Sequence, residues 1–567
     1  MTRQYPVVPV TPRQTVQAIF PDGRAFEAPT GTPLRYFIDA AYPDVEPPVM
    51  AAMMDDDLRE LTTPVTRDVR VRPVDASTND GMRIYHRSAL FVLIVAVREL
   101  FPDVHVLVDH SVTMGGFFCQ IEGRELFSRA EMAAIEQRMH EIAQADEPIE
   151  RERISTKEAI ELFRSQGYED KARLLGYRQE PDISIYTLRG VRDYFYGYMA
   201  PSTGCLRRFA LEVYPPGFIL RLPRRHRVEE LAPHRDHPKL MRVFREYGRW
   251  LSILGIEDVG SLNQIVHDGR MREIILISEA LHEKRIVDIA DEIVGQNGRV
   301  RLVLIAGPSS SGKTTFARRL AIQLLVHGLK PFALGLDDYF VPRDMTPRDE
   351  SGDYDFEALE AVNLPLFNLH LQQLMAGERV RLPRYDFELG RSVEGEEVTL
   401  SPDTVIIVEG IHGLNPALIT DIPAESVYRI YVSALTQLNI DHHNRIPTTD
   451  GRLLRRIVRD ARYRGYSAAD TINRWESVRR GEERYIFPFQ EHSDVMFNST
   501  LAYELSVLKP YAEPLLLRVP RGTDAAIEAR RLLAFLRWVT PCDSDLVPDN
   551  SLLREFIGDS VLQDFRF

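Results

Sequence analysis

One stretch near the middle of the chain constrains the fold more than any other. Residues 301–320 have the sequence RLVLIAGPSSSGKTTFARRL, in which an apolar run precedes a loop from Gly307 to Thr314 and a helical pattern follows it. The spacing Gly-x-x-x-x-Gly-Lys-Thr lets the backbone wrap closely around a polyphosphate, whose charge meets successive N–H groups and the N-terminus of the next helix. A glycine-rich turn without a ligand is the alternative, but the agreement of strand, loop and helix favours a nucleotide site.

Two side chains of this loop have predicted roles of their own. Lys313 is expected to reach the β- and γ-phosphates, and the hydroxyl of Thr314 is expected to bind Mg²⁺. The predicted nucleotide-binding residues are Gly307, Pro308, Ser309, Ser310, Ser311, Gly312, Lys313, Thr314 and Thr315.

Length and composition restrict the class of protein. A chain of 567 residues predicts several domains, and a net charge of −13 argues against a generally basic surface for nucleic acid. The chain has only three cysteines, and they lack metal-ligand spacing. So few cysteines fit a reducing cytosol and no disulfide framework. No apolar run reaches the roughly 18 residues of a membrane span, so we expect a soluble cytoplasmic protein without membrane contact.

Residues 1–75 have the pattern of a small mixed sheet. A short strand, a Pro-Asp-Gly turn, a second strand and a helix over 34–41 precede strands over 49–54 and 69–74. The segment FPDGRAFEAPTGTPLRYF resembles the β-grasp TGS domain found at the N-terminus of threonyl-tRNA synthetases and in some GTPases. The resemblance implies RNA, tRNA included, or a regulatory partner, and a packing module without a ligand is the alternative.

Residues 76–225 contain HRSAL, GGFF and DYFYGYMAPSTG, and with these motifs they resemble the α+β editing domain of threonyl-tRNA synthetases. In that family His-x-x-x-His and Cys-x-x-x-His surround a polar site. Here His86 alone keeps its type, because Leu90, Phe195 and Met199 stand at the other three positions. Hydrocarbon and thioether groups cannot replace imidazole and thiolate as ligands. We therefore expect a scaffold without that chemistry, in which His86 is an ordinary hydrogen-bonded histidine.

Residues 226–298 are predicted to form a helical connector, with helices over 240–254 and 271–293. His234 and His237 lie in a proline-flanked loop of this connector. Because no cysteine and no cluster of carboxylates stands there at ligand spacing, we interpret both histidines as surface residues.

The segment 299–567 alternates strands and helices, which indicates a doubly wound parallel sheet. The predicted strands after the loop cover 332–336, 404–408 and 427–432. Asp337 and Asp338 follow the first of these strands, and Glu409 follows the second. Either acid alone could cap a helix or a turn, but acids at two strand ends beside the phosphate loop favour a functional edge. Strand alternation predicts that Asp338 points away from Asp337.

Six motifs of this segment occur in a characteristic order: GPSSSGKTTFARRL, LDDYF, YDFEAL, LPRYDF, VIIVEGIHGL and RRIVRDARYRG. In order and spacing they resemble the uridine/cytidine kinase branch of the phosphoribulokinase/uridine kinase superfamily. The resemblance implies a P-loop NTPase fold and magnesium-dependent transfer of the γ-phosphate of ATP or GTP to a nucleoside 5′-hydroxyl. The order of all three regions is similar to that of a bacterial group of uridine kinase-like nucleoside kinases. We also expect a homo-oligomer.

Two alternatives to a nucleoside kinase stay open. One is a kinase of another small alcohol, such as a sugar phosphate. The other is an RNA-binding or regulatory protein in which the nucleotide switches a conformation.

The resemblance also implies residue roles. Asp337 matches a carboxylate that accepts the proton of the attacking hydroxyl and lies beside the metal, and Glu409 matches an acid that contacts magnesium through water. Glu357 matches a position that binds ribose hydroxyls. The expected walls of the nucleoside pocket are Tyr339 or Phe340, Phe356 and Tyr385, with core packing as the alternative.

The motif RRIVRDARYRG matches the lid of that family. Arg456 and Arg459 are three residues apart on one helix face, and Arg464 lies near the end of the helix. Guanidinium groups suit the clamping of phosphate, so we count all three, with Lys313, among the catalytic residues and expect the lid to close over the transferring group. A solvated run of charge is the alternative.

Base recognition departs from the family pattern at three positions. Gly390 stands where those enzymes have a histidine that helps to read the pyrimidine, and Tyr466 and Arg474 stand where they have an arginine and a glutamine. A few substitutions can change the preferred base. The sequence therefore leaves open which nucleoside is bound and whether ATP or GTP is the donor.

Overall fold

The computed structural model describes residues 13–567, apart from residues 44, 114, 234, 297, 349–351, 353, 356 and 387–388. The chain forms two compact units. Unit 1 comprises residues 1–235, 442–445 and 520–527, and unit 2 comprises residues 236–441, 446–519 and 528–567. The finer division into four domains remains a prediction.

A five-stranded mixed sheet opens unit 1. Its strands are β1 (Thr15–Ile19), β2 (Ala25–Pro29), β3 (Val49–Met54), β4 (Asp57–Arg59) and β5 (Val69–Asp75), in the order β2-β1-β5-β3-β4. The helix α1 (Leu34–Ala41) buries Phe37 and Ile38 in one core with Val16 and Val69 of the strands. Because β1 pairs parallel with β5 while the other pairs are antiparallel, the expected β-grasp arrangement is present.

The rest of unit 1 surrounds one long helix. Its helices are α2 (Asn79–Leu100), α3 (Arg129–Gln144), α4 (Thr156–Ser165) and α5 (Glu169–Leu175). Its strands are β6 (His105–Ser111), β7 (Gly116–Glu122), β8 (Glu150–Ser155), β9 (Asp182–Leu188), β10 (Val191–Asp193), β11 (Ala210–Tyr214) and β12 (Gly217–Arg221). They form two antiparallel sheets, β11-β12-β7-β6 and β10-β9-β8. Every residue of α2 from Ala89 to Val97 is buried, as expected of a central core helix.

Unit 2 begins with three connector helices, α6 (Pro238–Leu254), α7 (Val259–His267) and α8 (Met271–Val294), of which α7 was not predicted. The later helices are α9 (Lys313–Val326), α10 (Leu364–Met375), α11 (Thr448–Tyr463), α12 (Ala468–Tyr485), α13 (Glu504–Leu517), α14 (Asp524–Leu536), which begins in the 520–527 segment of unit 1, and α15 (Arg554–Ile557). Across the part of the chain that the structure describes, no helix is long and apolar enough to cross a membrane.

The main sheet of unit 2 is fully parallel. Its strands are β13 (Leu302–Ala306), β14 (Lys330–Gly335), β17 (Thr404–Glu409), β18 (Val427–Ser433) and β19 (Val495–Asn498), and β15 (Val380–Asp386) and β16 (Arg391–Val398) form a separate hairpin. The order β14-β17-β13-β18-β19 places β13 at the centre. All five residues of β13 are buried, as in a sheet covered on both faces. The predicted doubly wound parallel sheet is confirmed.

The strand before the paired aspartates ends one residue earlier than predicted. β14 ends at Gly335, and residues Leu336–Tyr339 form a turn of 3-10 helix. The rule of strand alternation for Asp337 and Asp338 was therefore wrong, because neither residue lies in a strand. Asp338 instead accepts a hydrogen bond from the backbone N–H of Tyr385 at 3.2 Å, which ties the turn to β15.

Candidate functional site

The phosphate loop connects the central strand β13 to α9. A Cβ atom at Gly307 would lie 1.9 Å from the carbonyl oxygen of Val432, and Gly312 has a positive φ of 83°, so both positions require glycine. Lys313 Nζ donates to the carbonyl oxygens of Gly307 and Pro308 at 2.9 and 3.2 Å. These bonds hold the ammonium group against the loop, where a phosphate would meet it.

Two carboxylates from neighbouring strands face this loop. Glu409, at the end of β17, accepts a hydrogen bond from Thr314 Oγ1 at 2.7 Å. Asp337 follows β14 and its side chain reaches solvent. Desolvation, and then the charge of Asp338, raise its pKa, and Lys313 opposes this shift. Burial raises the pKa of Glu409, and Lys313 again opposes the shift. The structure therefore brings Lys313, Asp337 and Glu409 within electrostatic reach of one another. We refer to the phosphate loop and the residues around it as the cleft.

The three predicted lid arginines converge on one buried carboxylate. Arg456, Arg459 and Arg464 lie 3.3, 2.8 and 3.7 Å from the carboxylate of Asp460. Arg456 Nη1 also donates to Ser309 Oγ of the phosphate loop at 2.7 Å. Asp460 thus gathers three guanidinium groups at the end of α11 that lies beside the loop.

A buried ion pair that the sequence analysis missed supports the loop from the same helix. Arg452 on α11 and Glu482 on α12 are both buried, with 2.8 Å between Nη2 and Oε2. Glu482 accepts a hydrogen bond from the backbone N–H of Ser309 at 3.0 Å, and Arg452 donates to the Ser309 carbonyl oxygen at 3.1 Å. Arg452 lies one turn before Arg456, which was the available clue.

The predicted aromatic wall is only partly assembled. The rings of Phe340 and Tyr385 meet edge to face, with centroids 5.6 Å apart. Tyr339 is instead buried in the core, with its ring 5.1 Å from that of Phe367. Of the two predicted alternatives, Phe340 is therefore the residue that stands beside Tyr385, whereas Phe356 lies outside the described residues.

Glu357 lies against α12 on the same side of the loop. A Cβ atom at Gly481 would lie 2.1 Å from Glu357 Oε2. Burial, and then the charge of Glu482, raise the pKa of Glu357 to about 7, whereas Arg456 and Lys313 lower it. Its carboxyl group therefore shares the electrostatic environment of the cleft.

Guanidinium groups lie close to the positions that differ from the uridine/cytidine kinase pattern. Gly390 has a φ of +65°, and a Cβ atom there would lie 3.0 Å from Arg343 Nε. The guanidinium of Arg474 lies over the ring of Tyr466, 4.3 Å from its centroid.

The loop, the acids at the strand ends and the gathered arginines all lie in a segment that matches one family model. Residues 302–506 match the model of the Phosphoribulokinase / Uridine kinase family. This kinase-family segment contains every residue of the cleft described above. A solved phosphoribulokinase from Rhodobacter spheroides is 18% identical, with a similarity that covers 35% of this chain and 70% of that chain at a TM-score of 0.25.

The N-terminal region is similar to proteins of another class. It is 31% identical over 194 residues to a threonine–tRNA ligase of Halorhodospira halophila and 28% identical over 192 residues to one of Francisella tularensis subsp. tularensis. Each match covers 34% of this chain and 30% of that protein. The chain thus spans less than a third of the length of these curated relatives.

In this synthetase-like region, apolar side chains stand at the three positions where the resembled family has polar residues. Leu90, Phe195 and Met199 are buried in one core, and the ring of Phe195 packs 5.4 Å from that of Phe91. His86 Nε2 lies 2.8 Å from the carbonyl oxygen of Pro223, which requires a proton on Nε2. Burial lowers the pKa of His86 to about 4, so the ring is neutral at neutral pH.

The histidines of the connector do not assemble a metal site among the described residues. His237 Nδ1 lies 3.9 Å from Glu491 Oε1, and His234 is outside the described residues. Within the described ranges, no group of three or more His, Cys, Asp and Glu residues is arranged to hold a metal ion.

Proposed function

We propose that this chain is a magnesium-dependent kinase that transfers the γ-phosphate of ATP or GTP to the 5′-hydroxyl of a nucleoside. The observation that carries the proposal is the convergence of Lys313, Asp337 and Glu409 with three arginines beside the phosphate loop. Phosphoryl transfer depends on positioning and on neutralising charge more than on covalent chemistry. The cleft supplies both kinds of group.

Each group of the cleft has a distinct role in this proposal. Asp337 accepts the proton of the attacking hydroxyl, a role for which an exposed carboxylate with a raised pKa is suited. Lys313 and the lid arginines bind the phosphoryl group, and the loop backbone holds the remaining phosphates. The edge-to-face pair of Phe340 and Tyr385 forms one wall of the nucleoside pocket.

The oxygen atoms beside the loop fit a magnesium ion. Mg²⁺ prefers hard oxygen ligands and retains several waters, and Thr314 Oγ1 and Glu409 Oε1 lie only 2.7 Å apart. Thr314, Glu409 and Asp337 are therefore the residues that hold it in this proposal. The bound ion neutralises charge on the β- and γ-phosphates.

The test is a panel of purine and pyrimidine nucleosides incubated with the full chain and Mg·ATP or Mg·GTP. Products are separated and identified as 5′-monophosphates. We expect one nucleoside, or a small group of them, to be converted. Absence of product with every nucleoside and both donors overturns the proposal.

A sugar-phosphate kinase is the second candidate, and a guanidinium near the acceptor side favours it. Arg343 lies against Gly390, the position at which uridine/cytidine kinases are expected to read the base. Desolvation raises the pKa of Asp338, and the nearby charge of Arg384 opposes this shift. Such groups suit an acceptor that carries its own phosphate. The substitution Tyr385→Ala distinguishes the candidates: it should abolish activity toward nucleosides, whereas loss of activity toward sugar phosphates alone favours the second candidate.

The similarity to threonine–tRNA ligases motivates a separate test of RNA contact. If unit 1 binds tRNA, affinity should fall steeply as salt rises, because bound cations are released from phosphate. No binding at low salt together with robust turnover rejects an RNA-binding role. Light scattering of the same preparation tests the predicted homo-oligomer.

A further inference from the structure

The C-terminal extension, which follows the kinase-family segment, packs against the phosphate loop. A Cβ atom at Gly312 would lie 2.5 Å from Leu552 Cδ2. Ser551 Oγ donates to Glu279 Oε1 on α8 at 2.6 Å, and Leu552 and Phe556 are fully buried. Packing and hydrogen bonds thus fix the backbone of this part of the extension within unit 2.

A carboxylate of the extension binds the start of α9. Glu555 Oε2 accepts hydrogen bonds from the backbone N–H of Thr315 at 3.2 Å and from Thr315 Oγ1 at 2.7 Å. Thr315 is the third residue of α9, so its N–H is one of the four that have no partner within the helix. Gly312, the N-cap, offers no side chain to satisfy them. Such N–H groups are where a helix binds an anion.

We propose that Glu555 is an intramolecular competitor of the nucleotide, whose carboxylate occupies the anion position at Thr315 and must swing out before a phosphate can bind there. This inference rests on the proposed function, because it requires a nucleotide at the phosphate loop. The charge of Glu555 also acts on Lys313 and Glu409, which places it beside the phosphate-binding groups. Since Leu552 and Phe556 are buried, the side chain moves while the backbone stays in place.

Competition of this kind weakens the apparent affinity for nucleotide, because only the open fraction of molecules is competent to bind. A permanent helix cap is the opposing account of the same contact. In that account, loss of the carboxylate lowers stability and leaves nucleotide affinity unchanged or weaker. Affinity and stability measured on the same variants therefore separate the two accounts.

The experiment is titration calorimetry of Mg·ADP into the full chain and its Glu555→Gln variant, with thermal unfolding of each. The control is Asp564→Asn, an exposed carboxylate of the same extension. Glu555→Gln should bind roughly tenfold more tightly or better, since a charged hydrogen-bond partner at Thr315 is removed. Asp564→Asn should remain within about twofold of the original chain, since exposed charges contribute little.

Equal or weaker binding by Glu555→Gln overturns the competition while leaving the proposed function intact. Absence of Mg·ADP binding by every variant overturns both. If Glu555→Gln does not fold, Glu555→Asp decides the matter, because the shorter side chain withdraws from Thr315 while it keeps the charge. Tighter binding by Glu555→Asp supports the competition, and unchanged or weaker binding refutes it.

Discussion

The cleft of the kinase-family segment is polar, whereas the place in the synthetase-like region where the resemblance implies a polar site is largely apolar. In the cleft, Asp337 remains exposed with a raised pKa, and Lys313 lies within electrostatic reach of it. In the synthetase-like region, Leu90 and Phe195 belong to a hydrophobic core, and the ring of His86 is bound to a backbone carbonyl group. The first position brings polar groups together at an electrostatic cost, whereas packed apolar side chains fill the second.

We interpret this difference as one between a functional site and a scaffold without that chemistry. Carboxylates with raised pKa values beside cations are concentrated at sites of chemistry or binding. Hydrocarbon in a core is stabilising without any further role. We therefore expect the chemistry of this protein in the kinase-family segment, and four predictions test this expectation.

The largest effect is expected from Asp337→Asn. The amide keeps nearly the same volume but cannot accept the proton, so kcat should fall roughly 10²–10⁴-fold, the usual contribution of a positioned general base. Affinity for ATP should change little, because the loop and Lys313 hold the phosphates. Steady-state kinetics and calorimetry measure the two quantities.

Asp338→Asn is the matched control for that substitution. Asp338 accepts the N–H of Tyr385 and so positions β15, and an amide oxygen can still accept this bond. A larger loss of kcat in Asp338→Asn than in Asp337→Asn would move the role of base to Asp338.

The second prediction compares buried ion pairs of the two units. Glu482→Gln removes the charge opposite buried Arg452, so the free energy of unfolding should fall by about 3 kcal/mol. KM for ATP should rise because Arg452, which also donates to the Ser309 carbonyl oxygen, loses its ion-pair partner. In unit 1, Lys171 and Asp193 are a buried pair that also contacts His443. Lys171→Met should be similarly destabilising by denaturation while KM for ATP stays unchanged. A rise of KM in Lys171→Met alone contradicts the assignment.

The third prediction concerns the pH dependence of stability. The pKa of Glu357 is raised from 4.5 to about 7 in the folded state, so the folded chain binds this proton more tightly than the unfolded chain. The stabilisation that protonated Glu357 contributes to the folded state is therefore lost as pH rises from about 4.5 to 7. Glu357→Gln should reduce this pH dependence by on the order of 2 kcal/mol. The quantity to measure is the free energy of unfolding in urea at pH 5 and at pH 8. Identical pH dependence in both chains rules out the shift.

The smallest effect is expected from His86→Ala. Loss of the bond to Pro223 should lower stability by about 1 kcal/mol, and nucleoside phosphorylation should remain within about twofold because no proton is exchanged at a neutral, bound ring. Parallel measurements of urea unfolding and turnover check this expectation. A drop in turnover at unchanged stability would show that His86 acts in the chemistry.

The sequence predicted local features well. The helix over 34–41 and the strand over 49–54 have the predicted bounds, because their patterns of apolar residues and turn signals are local. The parallel sheet followed from the same alternation. The strand before Asp337 was predicted to end at Leu336, one residue past the observed end of β14, because this apolar residue continues the pattern.

Features that depend on distant partners could not be predicted. Arg452 resembles a surface charge in sequence, and its burial depends on Glu482 from another helix. Glu555 lies far along the chain from Thr315 and belongs to no recognisable motif. Spacing rules describe neighbours on one element, whereas these contacts are made by tertiary packing.

The most direct test places both candidate chemistries in one preparation of the full chain. Transfer of label from γ-labelled ATP to a panel of nucleosides is measured, and hydrolysis of a mischarged aminoacyl-tRNA is measured beside it. We predict label in a nucleoside 5′-monophosphate, abolished by Asp337→Asn, and no deacylation above the uncatalysed rate. Deacylation that His86→Ala abolishes, without transfer of label to any nucleoside, would contradict the account.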